Sequence, residues 1–240
     1  IYGNQRRFCN VCIIDEVSMM TDKEKNTIIK NMKGCKIVFC GDINYQLPPI
    51  IKDGEDEEEF KIDNIKTYYH TKNYRVKCNK LKDILETCRK MMEYGYNIKS
   101  YVMKCFKNIE KDEMDYDYKK DMIICSTHIN KNYYTEKYKN HNKYYITKSD
   151  RIYGRGEILL DIPKNTEHYE LRHAYTIHSI QGETAEGKLF IDMDKCYENR
   201  MIYTAISRAR RLEQIYLITE KPEIYDINDK DECCVCYEKT

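Results

Sequence analysis

The sequence predicts an α/β fold built on parallel sheets. Three observations point to it: short apolar runs, helix-length segments between them, and polar or charged residues immediately after the runs. Runs without polar alternation suit strands buried on both faces, the usual state of parallel sheets. A strand–helix–strand order then implies right-handed crossovers, with ligand chemistry in the loops at the carboxyl ends of the strands.

In chain order, Asn10–Ile14 (NVCII) reads as a buried parallel strand ending in Asp15-Glu16. Thr21-Asp22-Lys23-Glu24 is a capping box, so a helix is expected from Asp22 to about Met32. Gly34 punctuates, and Lys36–Cys40 (KIVFC) is the next buried strand. The acidic run Asp53–Glu59 suits a solvated loop. Asn79 is placed to cap a helix whose stripe is Leu81, Ile84, Leu85, Cys88, Met91 and Met92, closed by Gly95. A short helix follows from Lys99 to Ile109, then a strand at Met122–Cys125 and a polar, aromatic helix to about Asn140. Residues 143–170 alternate and carry Gly154 and Gly156, the pattern of a small β excursion. The α/β pattern resumes with Ala174–Ile177, a strand at Leu189–Met193, a helix over Arg200–Arg211 and a strand at Ile215–Thr219.

The composition is globular, with 41% hydrophobic and 34% charged residues over 240 positions, room for one or two α/β cores. No run reaches the roughly 18 to 20 apolar residues that span a bilayer, so no membrane association is expected. A net charge of +1 neither demands nor excludes nucleic acid, because affinity follows local phosphate contacts. Most of the 12 cysteines stand singly in apolar runs, where a thiol acts as a small hydrophobe. That usage implies an intracellular, reducing compartment, cytoplasm, nucleus or a viral factory.

Asp15-Glu16 after an apolar strand is the arrangement used by phosphoryl-transfer ATPases. The first carboxylate holds Mg²⁺ and the second polarises the attacking water. A surface Asp-Glu pair ending a strand is the plainer alternative. The loop Gly41-Asp42-Ile43-Asn44-Tyr45-Gln46-Leu47-Pro48-Pro49 follows the second strand, and its two prolines fix the exit path. Gln46 is of the type and position to sense a γ-phosphate or its water; a Gly-Asp turn with a proline stop is the plainer reading. Tyr133, Tyr134 and Tyr138, at helical spacing, are read as packing residues rather than base-stacking ones.

Taken together, these segments resemble superfamily 1 DNA helicases, especially the RecD-like branch that moves 5′→3′. VCIIDEVSMM (Val11–Met20) and GDINYQLPPI resemble helicase motifs II and III. Asn73-Tyr74-Arg75 resembles the start of motif IV, YTIHSIQGETA (Tyr175–Ala185) motif V, and YTAISR (Tyr203–Arg208) motif VI. The resemblance implies two RecA-like lobes: the later part of the first over residues 1–70 and a largely complete second over 71–225. The small β insert falls at 142–170, where the turn at Arg151–Gly156 resembles a shortened version of the small β-barrel insert that this branch carries before motif V. Residues 226–240 form a tail.

The resemblance also implies an ATP-dependent helicase that couples hydrolysis to movement on single-stranded DNA, with ATP and Mg²⁺ as ligands. Asp15 would bind Mg²⁺ and Glu16 activate water. Asp42 and Gly182 would lie near the nucleotide, and Gln46 would couple nucleotide state to the DNA path. Arg75 and Arg208 would act as arginine fingers, a role whose loss costs on the order of a thousandfold or more in turnover. Thr176, His178, Ser179 and Gln181 would line the single-strand track. Arg75 lies in a basic stretch that also suits a plain surface, His178 alone suits an ordinary buried histidine, and Arg210 and Arg211 compete with Arg208.

The phosphate-binding loop G-x-x-x-x-G-K-[ST] does not occur in the 240 residues. The expectation is a truncated motor, inactive in isolation; a non-catalytic single-strand binder is the alternative. Cys233-x-x-Cys236 has the spacing of half a tetrahedral zinc site. It resembles the opening of a RING-type finger, so Zn²⁺ is expected only where a finger is completed downstream. A zinc-finger interaction protein is the weaker alternative function.

Overall fold

The computed structural model describes residues 10–50, 58–70, 72–149, 152, 157–164 and 166–219. The chain divides into two compact units, one reaching to Thr71 and the other beginning at Lys72.

In the first unit, strand β1 (Val11–Ile14) pairs in parallel with β2 (Lys36–Phe39), in the register Val11↔Lys36 to Ile14↔Phe39. Helix α1 (Asp22–Asn31) makes the crossover. Its start is the expected capping box: Thr21 Oγ1 accepts from the Glu24 amide at 3.2 Å, and the Thr21 amide donates to Glu24 Oε2 at 3.0 Å. Gly34 takes a left-handed conformation (φ 90°), as its place after the helix anticipates. The strands are not buried on both faces, as their apolar character had suggested. Phe60 packs edge-on against Phe39, ring centroids 5.2 Å apart, whereas Ile13 is 68% exposed and Val11 and Val38 share its open face. Among the described residues nothing covers that face.

The second unit is built on a five-stranded, wholly parallel sheet. Helices α2 (Asn79–Glu93) and α3 (Lys99–Cys105) precede β3 (Lys107–Ile109); β4 (Met122–Cys125) leads into α4 (His128–Lys137). A three-stranded antiparallel sheet follows, of β5 (Tyr144–Ile146), β6 (Ile158–Leu159) and β7 (Tyr169–Leu171) in the order β6-β5-β7. The chain then returns through β8 (Ala174–Thr176), β9 (Leu189–Asp192), α5 (Asn199–Ile206) and β10 (Ile215–Ile218). The large sheet runs β3-β10-β9-β4-β8, so all five carboxyl ends lie on one edge.

The α2 stripe is buried at Leu81, Ile84, Leu85, Cys88 and Met91, and α2 packs against α5. Its end is a Schellman closure: the Tyr96 amide donates to the Met91 carbonyl (2.8 Å) and the Gly95 amide to Met92 (3.0 Å), with Gly95 at φ 76°. Cys78, not Asn79, holds the cap position, and Asn79 is the first helical residue. Helix α3 stops at Cys105 rather than Ile109, because Lys107–Ile109 is captured as an edge strand by Tyr216–Ile218. Helix α5 likewise ends at Ile206, short of Arg211. Where α4 packs on the sheet, its Tyr134 joins Ile109, Ile123, Cys125, Ala174, Phe190 and Ile218 in one core cluster. Tyr134 is fully buried, its hydroxyl donating to Asp192 at 2.9 Å, a packing role as its spacing suggests.

The insert is pinned where it leaves and rejoins the lobe: the Arg172 amide donates to the Lys143 carbonyl at 2.9 Å. Cys88, Cys125 and Cys196 are buried, and burial pushes the Cys88 and Cys196 thiols up to about 12, the inert state of core cysteines. Among the described residues no helix is long and apolar enough to cross a membrane. The acidic run at 53–57, the turn at 151 and 153–156, and the tail with Cys233 and Cys236 lie outside the described residues.

Candidate nucleotide and nucleic-acid site

In the first unit the two candidate loops are locked side by side. The Cys40 amide donates to the Ile14 carbonyl at 2.7 Å, and the Val17 amide to the Cys40 carbonyl at 3.0 Å. This joins the end of β1, with Asp15-Glu16, to the start of the Gly41–Pro49 loop. Glu16 stands in the left-handed region (φ 54°, ψ 43°), sparsely used by residues with a Cβ and concentrated at functional sites. Its amide donates to Asp15 Oδ1 at 2.9 Å, while the Asp15 side chain lies at the surface.

Gly41 is required by contact. A Cβ there would lie 2.8 Å from the Val17 nitrogen and 3.0 Å from Val17 Cγ2. Gly41→Ala is therefore expected to push the two loops apart at a cost of about 1–3 kcal/mol. Denaturant unfolding followed by circular dichroism checks this, and an unshifted midpoint would show that the loops part freely.

Asp42 folds its own loop: Oδ1 accepts from the Tyr45 amide at 3.3 Å and the main-chain carbonyl from Gln46 at 3.2 Å. The Gln46 side chain ends in a buried Oε1 that has no hydrogen-bond partner among the described residues. A buried amide oxygen left short is costly, and ligand contact is one way such a cost is recovered. The described residues contain no group of three or more His, Cys, Asp or Glu that could hold a metal ion. The exposed Asp15 carboxylate is a hard oxygen donor of the kind Mg²⁺ takes, one or two carboxylates being completed by phosphate oxygens and water.

In the second unit the candidate residues gather at the carboxyl edge of the large sheet. β8 ends at Thr176, and Ile177–Ile180 form a 3-10 turn there. Thr176 is nearly buried and its carbonyl accepts from Ser179 Oγ at 2.9 Å. Ser179 is exposed, His178 and Gln181 are half-buried, and Gly182 sits exposed at φ 89°, where a side chain would be strained. Burial holds the His178 imidazole below its ordinary pKa against a smaller opposing pull from Glu198, so it is neutral near pH 7.

Arg75 and Arg208 meet at Ser207. Arg75 Nη1 donates to the Ser207 carbonyl at 3.3 Å, and Arg208 Nη2 to Ser207 Oγ at 2.9 Å. Asn73 Oδ1 orients the Arg75 segment by accepting from the amides of Arg75 and Val76 at 3.0 and 3.1 Å. Arg208 is fully buried. Its Nε donates to the Thr204 carbonyl (3.0 Å) and Nη1 to the Glu183 carbonyl (3.3 Å), so the guanidinium is turned inward, between α5 and the loop after the 3-10 turn. Of its two rivals, Arg210 is ion-paired with Glu186 at 3.2 Å and Arg211 lies near Glu213 at 3.8 Å, both at the surface.

Sequence reasoning missed one neighbour. The register Cys125↔Thr176 sets Ser126 and Thr127 at the same sheet edge as the 3-10 turn. Thr127 Oγ1 caps α4 by accepting from the Asn130 amide at 3.2 Å, and Ser126 Oγ donates to the Asp194 carbonyl at 2.7 Å. Ser-Thr directly after an apolar strand, with Asn three residues on, was the available signal.

No protein family's sequence profile matches the chain, and no curated protein matches it significantly. Solved structures do. A Pif1 helicase from Bacteroides, in complex with ADP-AlF3 and ssDNA, superposes with a TM-score of 0.68 at 17% identity, over 92% of this chain and 76% of that one. A structure described as DNA unwinding at forked dsDNA by two coordinating Pif1 helicases gives 0.64 at 20% identity, over 90% and 72%. Pif1 helicase from Candida albicans gives 0.62 at 16%, over 89% and 73%. At such identities the likeness is one of fold: the chain shares the α/β architecture of these Pif1 helicases, with parallel sheets of the RecA-like kind.

Proposed function

We propose that this chain is the motor portion of an ATP-driven helicase that moves along single-stranded DNA. The observation that carries the reading is the convergence of Arg75, Ser207, Arg208 and the loop at Glu183 on one hydrogen-bonded cluster beside the 3-10 turn. A motor needs a phosphate-responsive cation mechanically coupled to its strand-contacting loop, and the hydrogen bonds that run from Arg75 through Ser207 and Arg208 to the Glu183 carbonyl support that reading. Further support comes from the left-handed Glu16 beside Asp15, the stranded Gln46 oxygen, and a fold shared with helicases one of which is described with ADP-AlF3 and ssDNA.

In this reading Asp15 holds Mg²⁺, which when bound neutralises phosphate charge, and Glu16 accepts the proton of the attacking water. Gln46 and Asp42 position that loop toward the nucleotide. Arg75 is the half-exposed guanidinium presented to phosphate, while Arg208 braces it from within. Ser179, His178 and Gln181 donate to strand phosphates, and Gly182 lets the backbone approach.

Fluorescence anisotropy with a labelled oligo-dT, read at several salt concentrations, tests the strand-binding half. Binding that weakens with salt and exceeds binding to duplex is expected. Replacing both His178 and Ser179 by Ala is expected to weaken it about tenfold, at about 0.5–1.5 kcal/mol per lost hydrogen bond. No binding by the parent chain would overturn the proposal.

A further inference from the structure

Beyond the turn at 177–180, the loop joining β9 to α5 presents an aromatic ring that no motif accounts for. Cys196 is fully buried and its amide donates to the Met193 carbonyl at 3.3 Å, which anchors a tight loop with Lys195 in the left-handed region (φ 55°). Tyr197, next in sequence, is 65% exposed. Lys99 lies over its ring at 4.6 Å, and the Lys99 ammonium is itself tied to the Met193 carbonyl at 3.3 Å. One face of the ring is therefore braced by a cation and the ring is held outward. Glu198, the next residue, occupies the N-cap position of α5 and bears electrostatically on His178, and α5 packs against the turn that carries His178 and Ser179. The ring thus stands at the carboxyl edge of the sheet, beside the candidate strand track.

We propose that Tyr197 is a stacking platform for an exposed nucleobase of the single strand, prolonging the track at residues 176–182. The inference rests on the function proposed above. Phosphate contacts on the turn fix the backbone, and an aromatic face set beyond them takes a base without reading its identity. The ammonium on the ring's far face keeps the ring upright and adds positive charge near the strand.

The test is oligo-dT binding by the 240-residue chain, compared with binding to an abasic oligomer of equal length. Tyr197→Ala is expected to lose on the order of tenfold in dT affinity, and Tyr197→Phe to keep it. Abasic binding and the salt slope are expected to stay unchanged in both. Lys99→Gln is expected to fall between them on dT. If Tyr197→Ala binds dT like the parent, or loses dT and abasic binding equally, the stacking role is overturned while the track stands. If the parent binds no single strand, the proposed function and the stacking role fall together.

Discussion

Glu16→Gln, in a chain that also carries a phosphate-binding loop upstream, is expected to lose ATP turnover by a hundredfold or more, on the order of general-base catalysis, with ATP binding retained. Gln keeps the size and the hydrogen-bonding shape but cannot take a proton. Glu16→Gly adds a second, opposite readout. Glu16 holds a left-handed backbone that costs a residue with a Cβ roughly 1–2 kcal/mol, and glycine recovers part of it against its greater unfolded-state entropy. Glu16→Gly is therefore expected to be as stable as the parent, or more stable by up to about 1 kcal/mol, while turnover is lost. Phosphate release and thermal unfolding on the same preparations check both. Turnover surviving in Glu16→Gln would assign the base elsewhere, and a marked loss of stability in Glu16→Gly would show that the carboxylate is structural.

Arg208→Ala is expected to damage the second unit itself. The side chain is fully buried and supplies donors to the Thr204 and Glu183 carbonyls and to Ser207 Oγ. Its removal leaves a cavity and under-satisfied carbonyls, a loss on the order of 3 kcal/mol, or about 6–12 °C in Tm for a unit of this size. Because one of those carbonyls belongs to the loop after Gly182, oligo-dT affinity is expected to fall with stability. Arg208→Met fills most of the space without a buried charge and is expected to cost about 1–2 kcal/mol. A finger facing solvent would give another pattern: Arg208→Ala with parent Tm and parent dT affinity, and loss confined to turnover. Arg75→Ala, half-exposed, is expected to give that second pattern.

The sequence made the large sheet readable where physics is local. Met122–Cys125 is continuous apolar chain with a polar flank on each side, and it is a strand over those same residues. Thr21 and Glu24 carry the whole of their cap between them, and Gly95 closes α2 because only a left-handed residue fits there. Local signals failed where a distant partner decided. Lys107–Ile109 reads as the end of a helix, and only pairing with Tyr216–Ile218 makes it β. The open face of β1 and β2 is invisible to a pattern that registers apolar character and not coverage. At the candidate site, residue types and order were legible through motif resemblance, but orientation was not. Nothing in YTAISRAR says that the Arg208 guanidinium turns inward while Arg210 and Arg211 stay at the surface. Tyr197 carried no motif, and its value comes from Lys99, nearly a hundred positions earlier.

The bond between the Arg172 amide and the Lys143 carbonyl closes the base of the β insert before the chain re-enters the sheet. Both ends of the excursion are tied together there, and Lys131 of α4 adds a second tie by reaching Glu170 of β7 at 3.4 Å. Enlarging a closed loop costs only about 0.6 kcal/mol for each doubling of its length. Changes of length beyond that junction are therefore expected to leave the register Cys125↔Thr176 intact. Relatives sharing this lobe are expected to differ most in length between β5 and β7, and a glycine-serine bridge there is the natural place to begin trimming the protein to a minimal motor.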